Sequence, residues 1–211
     1  MRFEELAEIV ADEPVFETGL LLAGAVDPAD VRRQLSRWTR RGRIRQLRRG
    51  LYTLAPPWER RPPHPFLVAN RLVRGSYVSG LAALAFAQAI PEYVAVVTSA
   101  TPGRPHLRNT AIGRFSFRHL KPGLLFGYRR VELGGGQHAF VAEPEKALLD
   151  LVHLHPGGDD AAYLRELRLD FDRLRLRRLE ALAQTCATPK LARAAARIRR
   201  IAGDEPGYDT L

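Results

Sequence analysis

Cysteine, methionine and lysine are nearly missing from this chain: one Cys, one Met and three Lys in 211 residues. A lone Cys186 closes no disulfide within the chain, so folding must rest on a hydrophobic core, and the scarcity suits a reducing compartment. The residue itself reads as a small apolar position in a helix. Long apolar runs are also absent, and nothing approaches the ~20 residues that cross a bilayer as a helix. The amino-terminal stretch MRFEELAEIVADEP is acidic and amphipathic, unlike a secretion signal. These absences predict a soluble, cytoplasmic protein with no membrane partner.

Arginine stands where lysine is missing. Of 33 basic residues only Lys121, Lys146 and Lys190 are lysines, and against 23 acidic residues the formal charge is +10. A planar guanidinium forks onto phosphate oxygens and guanine edges, so nucleic acid is the expected partner ahead of an acidic protein. With 45% hydrophobic and 27% charged residues the composition is that of a globular protein.

Residues 55–65, APPWERRPPHP, hold five prolines and divide the chain, because proline excludes regular hydrogen-bonded structure. The prediction is a domain over 1–55, a proline-rich linker over 56–65 and a larger domain over 66–211. In the first, Phe3, Leu6, Ile9 and Val10 recur at helical spacing, and FETGLLLAGA (16–25) reads as a second, short helix ending near Gly24. A third helix opens at the N-cap Asp27, takes Pro28 at its first position and stops at Gly42. RIRQLRRGLYTL (43–54) then reads as two strands around a tight turn at Arg48-Arg49-Gly50. Three helices and a hairpin are the order of a winged helix-turn-helix. The second domain reads as α+β and ends in helices. Its expected elements are a helix over 65–75, a strand at 76–78, a helix from the cap Ser79, strands at 93–99, 114–120, 128–133 and 138–142, and helices over 143–155, 160–186 and from Thr188.

Nine arginines lie between Arg32 and Arg49 with no acid among them. Advancing 100° per residue, Val31, Leu35 and Trp38 fall within about 60° of one another and form a stripe for packing. Arg33, Ser36, Arg37 and Arg40 gather opposite, with Arg32 and Arg41 on the flanks. An apolar seam backed by an arginine-serine face suits a helix laid in a major groove. Arg33 and Arg37 are placed to read base edges, and Arg32, Arg40, Arg41 and Arg43 to hold phosphates. Arg48 and Arg49, at the hairpin tip, are expected at the adjacent minor groove or its phosphates. In the last helix Leu191, Ala195, Ile198 and Ala202 form a buried seam, while Arg193, Arg197 and Arg200 are the candidate for a second anion-binding face.

The stretches RGRIRQLRRGLYTLAP, SYVSGLAALAFAQAIPE, VAVVTSATPGR and AFVAEPEKALLDLVHL occur in this order over roughly residues 3–155. Their order and spacing resemble the AbiEi-like antitoxins of abortive-infection, type IV toxin-antitoxin systems. The resemblance implies an amino-terminal winged helix that binds operator repeats in double-stranded DNA upstream of its own operon and represses it. It also implies a carboxy-terminal domain that opposes a nucleotidyltransferase-like toxin without a stable direct complex. The alternative is a winged-helix regulator whose second domain senses a ligand or a protein, with no toxin partner.

No catalytic, cofactor or metal site is read from the chain. GGG (134–136) has no lysine-serine/threonine pair after it and reads as a hairpin turn. EPEKALLD carries Glu143, Glu145, Lys146 and Asp150, but adjacent Glu and Lys are not the carboxylate-x-lysine spacing of metal-dependent nucleases. It reads as a helix start favoured by acids and Pro144. His153 and His155 sit near a helix end, and only Asp159 and Asp160 lie near enough to complete a metal site.

Overall fold

The computed structural model describes residues 1–22 and 26–204. It is mixed α+β with two sheets. The amino-terminal unit comprises helix α1 (Phe3–Ile9), strand β1 (Phe16–Glu17), a 3-10 turn (Thr18–Leu22), helix α2 (Pro28–Arg40) and strands β2 (Ile44–Arg48) and β3 (Leu51–Leu54). Helix α2 starts where local chemistry says it should: Asp27 Oδ1 accepts from the Ala29 amide at 2.8 Å, and Pro28 needs no partner for an N–H it lacks. Its Val31, Leu35 and Trp38 are buried against Phe3, Leu6, Val10 and Ile44. Trp38 meets Phe3 edge-on at 5.6 Å.

The helix expected over 16–25 is not there. Phe16 and Glu17 pair antiparallel with Tyr52 and Leu51, giving the sheet order β1-β3-β2. The Thr18 amide extends the pairing to the Gly50 carbonyl at 3.0 Å. Thr18 and Gly19 are weak helix formers, so ladder bonds and a shorter 3-10 turn win. The expected end near Gly24 lies outside the described residues. Between β2 and β3 the chain reverses at Arg49-Gly50, with Gly50 at φ +78°, and the register shifts between Gln46 and Arg48.

The second unit runs through α3 (Pro65–Leu72), β4 (Tyr77–Val78), α4 (Gly80–Phe86), β5 (Val96–Thr101), β6 (His106–Thr110) and β7 (Gly113–His119). It continues with β8 (Tyr128–Glu132), β9 (His138–Ala142), α5 (Pro144–Leu154), α6 (Ala161–Glu166), α7 (Leu176–Cys186) and α8 (Pro189–Asp204). Its six strands lie in the order β6-β7-β5-β4-β9-β8, parallel at β5/β7 and β4/β9 and antiparallel elsewhere. Strand β6 was not expected, because HLRNT lies at the sheet edge and lacks the alternation that a half-buried strand shows. The single helix expected over 160–186 is instead α6, a 3-10 turn at Phe171–Arg173 and α7. The chain breaks there at Arg168 (φ +47°), and the Asp170 amide bonds the Ala89 carbonyl at 2.9 Å. The detour carries Leu167, Leu169 and Leu174 into the core.

Residues 56–64 of the proline-rich segment hold no helix or strand, Pro65 already opens α3, and the segment touches the first unit through Trp58 and Arg61 and the second through Gln137. Trp58 meets Phe3 at 5.1 Å, Arg43 stands over both rings, and Arg61 reaches Asp12 at 3.4 Å. Val15, Leu47 and Leu51 of the first unit are buried in the larger core. The two units therefore touch through apolar contact as well as through the chain. Because Trp38 is buried on a helix whose other face is charged, Trp38→Ala is expected to destabilise the fold by about 3–5 kcal/mol in chemical denaturation.

Candidate nucleic-acid interface

Packing of Val31, Leu35 and Trp38 fixes the rotation of α2, and the opposite face is left to solvent. Arg32, Arg33, Ser36, Arg37, Arg40 and Arg41 are all exposed there. Asp30, Arg32, Arg33, Gln34, Ser36, Arg37 and Arg40 line one shallow depression along the helix. Arg32, Arg37, Arg40 and Arg41 have no acidic partner among the described residues. Arg33 does: its Nη2 bonds Asp30 Oδ1 one turn back. A base-reading role for Arg33 thus requires it to exchange one carboxylate for another acceptor. Arg49 is exposed at the hairpin turn, and Arg43 is half-buried over the Phe3 and Trp58 rings.

Arg48 does not join this face. Its Nε and Nη2 donate to the Arg71 carbonyl at 3.4 and 3.1 Å, and its Nη1 donates to the Arg49 carbonyl at 3.0 Å. Nη2 also lies 3.6 Å from Glu17 Oε1, while Arg74 Nη2 reaches Glu17 Oε2 at 2.6 Å. In this structure Arg48 bridges the hairpin and the end of α3. Burial of neighbouring Leu47 in the larger core brings this side of the hairpin against the second unit.

The second arginine face is also largely tied down. Arg193 Nε donates to Asp159 Oδ2 at 2.9 Å, and Arg197 Nη1 bonds the Asp159 carbonyl. Arg200 is exposed with no acidic partner among the described residues. Arg175 and Arg178 are held by Glu143 and Glu145 in hydrogen bonds of 2.8 to 3.5 Å. Asp159, Glu143 and Glu145 lie about 30 or more positions away in sequence, so helical periodicity on α7 and α8 could not reveal them.

One cluster went unread in the sequence. Lys146, on α5, is fully buried at 0% exposure, with Asp150, Tyr77 and Ser79 beside it. Lys146 Nζ bonds Asp150 Oδ1 and donates to Tyr77 Oη at 2.9 Å. Tyr77 Oη and Ser79 Oγ donate to Asp150 Oδ2 at 2.9 and 2.7 Å. Ser79 stands at the start of α4 as expected, but its hydroxyl serves Asp150 and caps no amide. Burial pushes the Tyr77 hydroxyl far above its ordinary range, and it pushes the Asp150 carboxyl up against the pull of Lys146. The available signal was a lysine and an acid four apart on a helix whose neighbours Ala147, Leu148 and Leu149 are apolar. The motif also begins the helix as expected, with Glu143 at the N-cap and Pro144 next.

The remaining sequence features have structural places. Gly134, Gly135 and Gly136 form the β8–β9 turn, all at positive φ. The Lys190 ammonium donates to the His155 carbonyl at 2.5 Å, and the His155 ring stacks on Tyr163 at 4.2 Å. Among the described residues no group of three or more His, Cys, Asp and Glu side chains is placed to hold a metal ion.

Two consequences follow for stability. Lys146→Met leaves Asp150 buried and unpaired and is expected to cost about 3–5 kcal/mol in denaturant unfolding, whereas Lys146→Met/Asp150→Leu is expected to recover part of that loss. Where Arg48 bridges the units, the Arg74 hydrogen bond holds the Glu17 carboxyl below its ordinary value of 4.5, with burial opposing. A lowered acid binds fewer protons folded than unfolded, so its contribution is present above the ordinary pKa and is lost as pH falls through the folded one. Glu17→Gln is therefore expected to lower the thermal midpoint near neutral pH and to converge with wild type well below 4.5.

Neither a scan against family models nor a search of curated proteins gives a match to this chain.

Proposed function

We propose that the amino-terminal unit is a winged helix that binds duplex DNA, with α2 in the major groove and the Arg49 turn beside it. One observation carries the reading: the apolar seam of α2 is locked under Trp38 while an arginine-serine face stands open on the other side. Nine arginines so close together repel one another, and a polyanion relieves that cost. Arg37 and Arg33 read bases, and Arg32, Arg40, Arg41 and Arg49 hold phosphates. Arg48 is assigned to the bridge between units, and Arg43 to a support beneath the helix end. The motif order further supports a role as an autorepressor and AbiEi-like antitoxin, opposing a nucleotidyltransferase-like toxin without a stable complex. In that role the DNA it binds lies upstream of its own gene. The antitoxin part rests on the motifs alone. A regulator whose second unit senses a ligand or a protein, with no toxin partner, is the other reading, and a cleft of about 590 Å³ between the two units favours it.

The test is binding to the DNA upstream of its own gene against random duplex, over a salt series. Four phosphate contacts, from Arg32, Arg40, Arg41 and Arg49, predict a loss of roughly 10²-fold in affinity between 50 and 200 mM salt. Arg33→Ala/Arg37→Ala is expected to lose about 1–3 kcal/mol of discrimination per base-reading arginine. Asp30→Asn, which frees Arg33 from an exposed ion pair, is expected to tighten binding about two- to fivefold. Equal affinity of wild type for its own promoter and random duplex removes the operator reading.

A further inference from the structure

A cleft of about 590 Å³ lies between the two units, within the size range of small-ligand sites. Four arginines line it: Arg61, Arg71, Arg74 and Arg130. So do two large rings left open to solvent, Tyr128 at 42% and Phe140 at 47% exposure. Tyr128 and Phe140 meet edge to face at 5.9 Å. The rings stand on neighbouring strands β8 and β9 with nearly half of each left open, and they offer a stacking platform.

The platform is rigid. Tyr128 lies flat on Tyr77, with centroids 4.4 Å apart and planes 16° from parallel. Tyr77 is itself pinned through its hydroxyl by Lys146 and Asp150. The buried ionic cluster, which no binding role yet uses, thus holds the floor of the cleft in place. The positive charge nearby is only partly neutralised. Arg61 is paired with Asp12 and Arg74 with Glu17, but Arg71 and Arg130 have no acidic partner among the described residues. Gly135 and Gly136, at the β8–β9 turn, also line the cleft, and their amides donate to nothing among the described residues. Unpaired guanidiniums on low-dielectric walls attract a phosphate and fork onto its oxygens. Asp12 and Glu13 line the same cleft, so a single short anion fits better than a continuous phosphate backbone.

We propose that this cleft binds a mononucleotide, its base stacked on one ring of the Tyr128–Phe140 pair and edge-on to the other, and its phosphate held by Arg71 and Arg130. The proposal goes beyond the DNA-binding reading and does not depend on it. Titration calorimetry of the whole chain with 5′-AMP and 5′-GMP, alongside adenosine and inorganic phosphate, tests it directly. At least one mononucleotide is expected to bind with a dissociation constant below about 1 mM, more tightly than either adenosine or phosphate alone. Arg71→Gln/Arg130→Gln and Phe140→Ser are each expected to weaken that binding about tenfold or more, with thermal midpoints close to wild type. No binding of either nucleotide at millimolar concentration overturns the proposal, as does unchanged affinity in both variants. Phosphate binding as tightly as the nucleotides also overturns it. If the double arginine variant instead loses affinity for duplex DNA and wild type binds no nucleotide, the cleft belongs to the DNA path. Nucleotide binding without any promoter preference would uphold the cleft and remove the operator reading alone.

Discussion

Lys146 and Asp150 lie one turn apart on α5 beneath the six-stranded sheet, where no solvent reaches the ammonium. Burying two charges costs more than their attraction returns unless every remaining donor and acceptor is met. Here Tyr77 of β4 and Ser79 at the head of α4 donate to the carboxylate, and Tyr77 also accepts a second bond from the ammonium. The pair therefore ties a helix, a central strand and a second helix to one geometry. The Phe126 ring lies 5.3 Å from the ammonium, and a Cβ on Gly127 would stand 3.0 Å from the Lys146 stem. With Gly127 at φ +71°, the backbone before β8 can pass only as glycine. Tyr128 follows at once and stacks on Tyr77, so the same interaction sets the floor of the cleft between the units.

The first unit is organised by a different constraint. A thirteen-residue helix has one face that must be dry and one that must be wet, and Trp38 with Phe3 decides which is which. Arg43 and Trp58 close over the same ring from outside. On its far side the unit is held to the second by Leu47 and Leu51 in the larger core and by Glu17, Arg48 and Arg74 at its edge.

Much of this was legible beforehand. The cap, the proline and the seam of α2 are patterns within one or two turns, and such patterns act before any tertiary contact forms. The strands with alternating burial and the helix opened by Glu143 and Pro144 are of the same kind. The failures were non-local. Phe16 and Glu17 became a strand because β3 offered them partners, and the span 160–186 broke because three leucines had a core to reach. Strand β6 carries a polar edge sequence whose only structural cue is its neighbour β7.

The candidate site divides along the same line. By itself the sequence determined that α2 carries arginines opposite an apolar stripe, because side-chain direction on a helix depends on spacing alone. Only the tertiary structure decided which guanidiniums are free. Arg48 finds the Arg71 carbonyl and Glu17, and Arg193 and Arg197 find Asp159, all from positions remote along the chain. It alone also turned a lysine and an acid that read as helix-start charges into the buried pair that holds the sheet, because solvent exclusion is set by what the fold places around them.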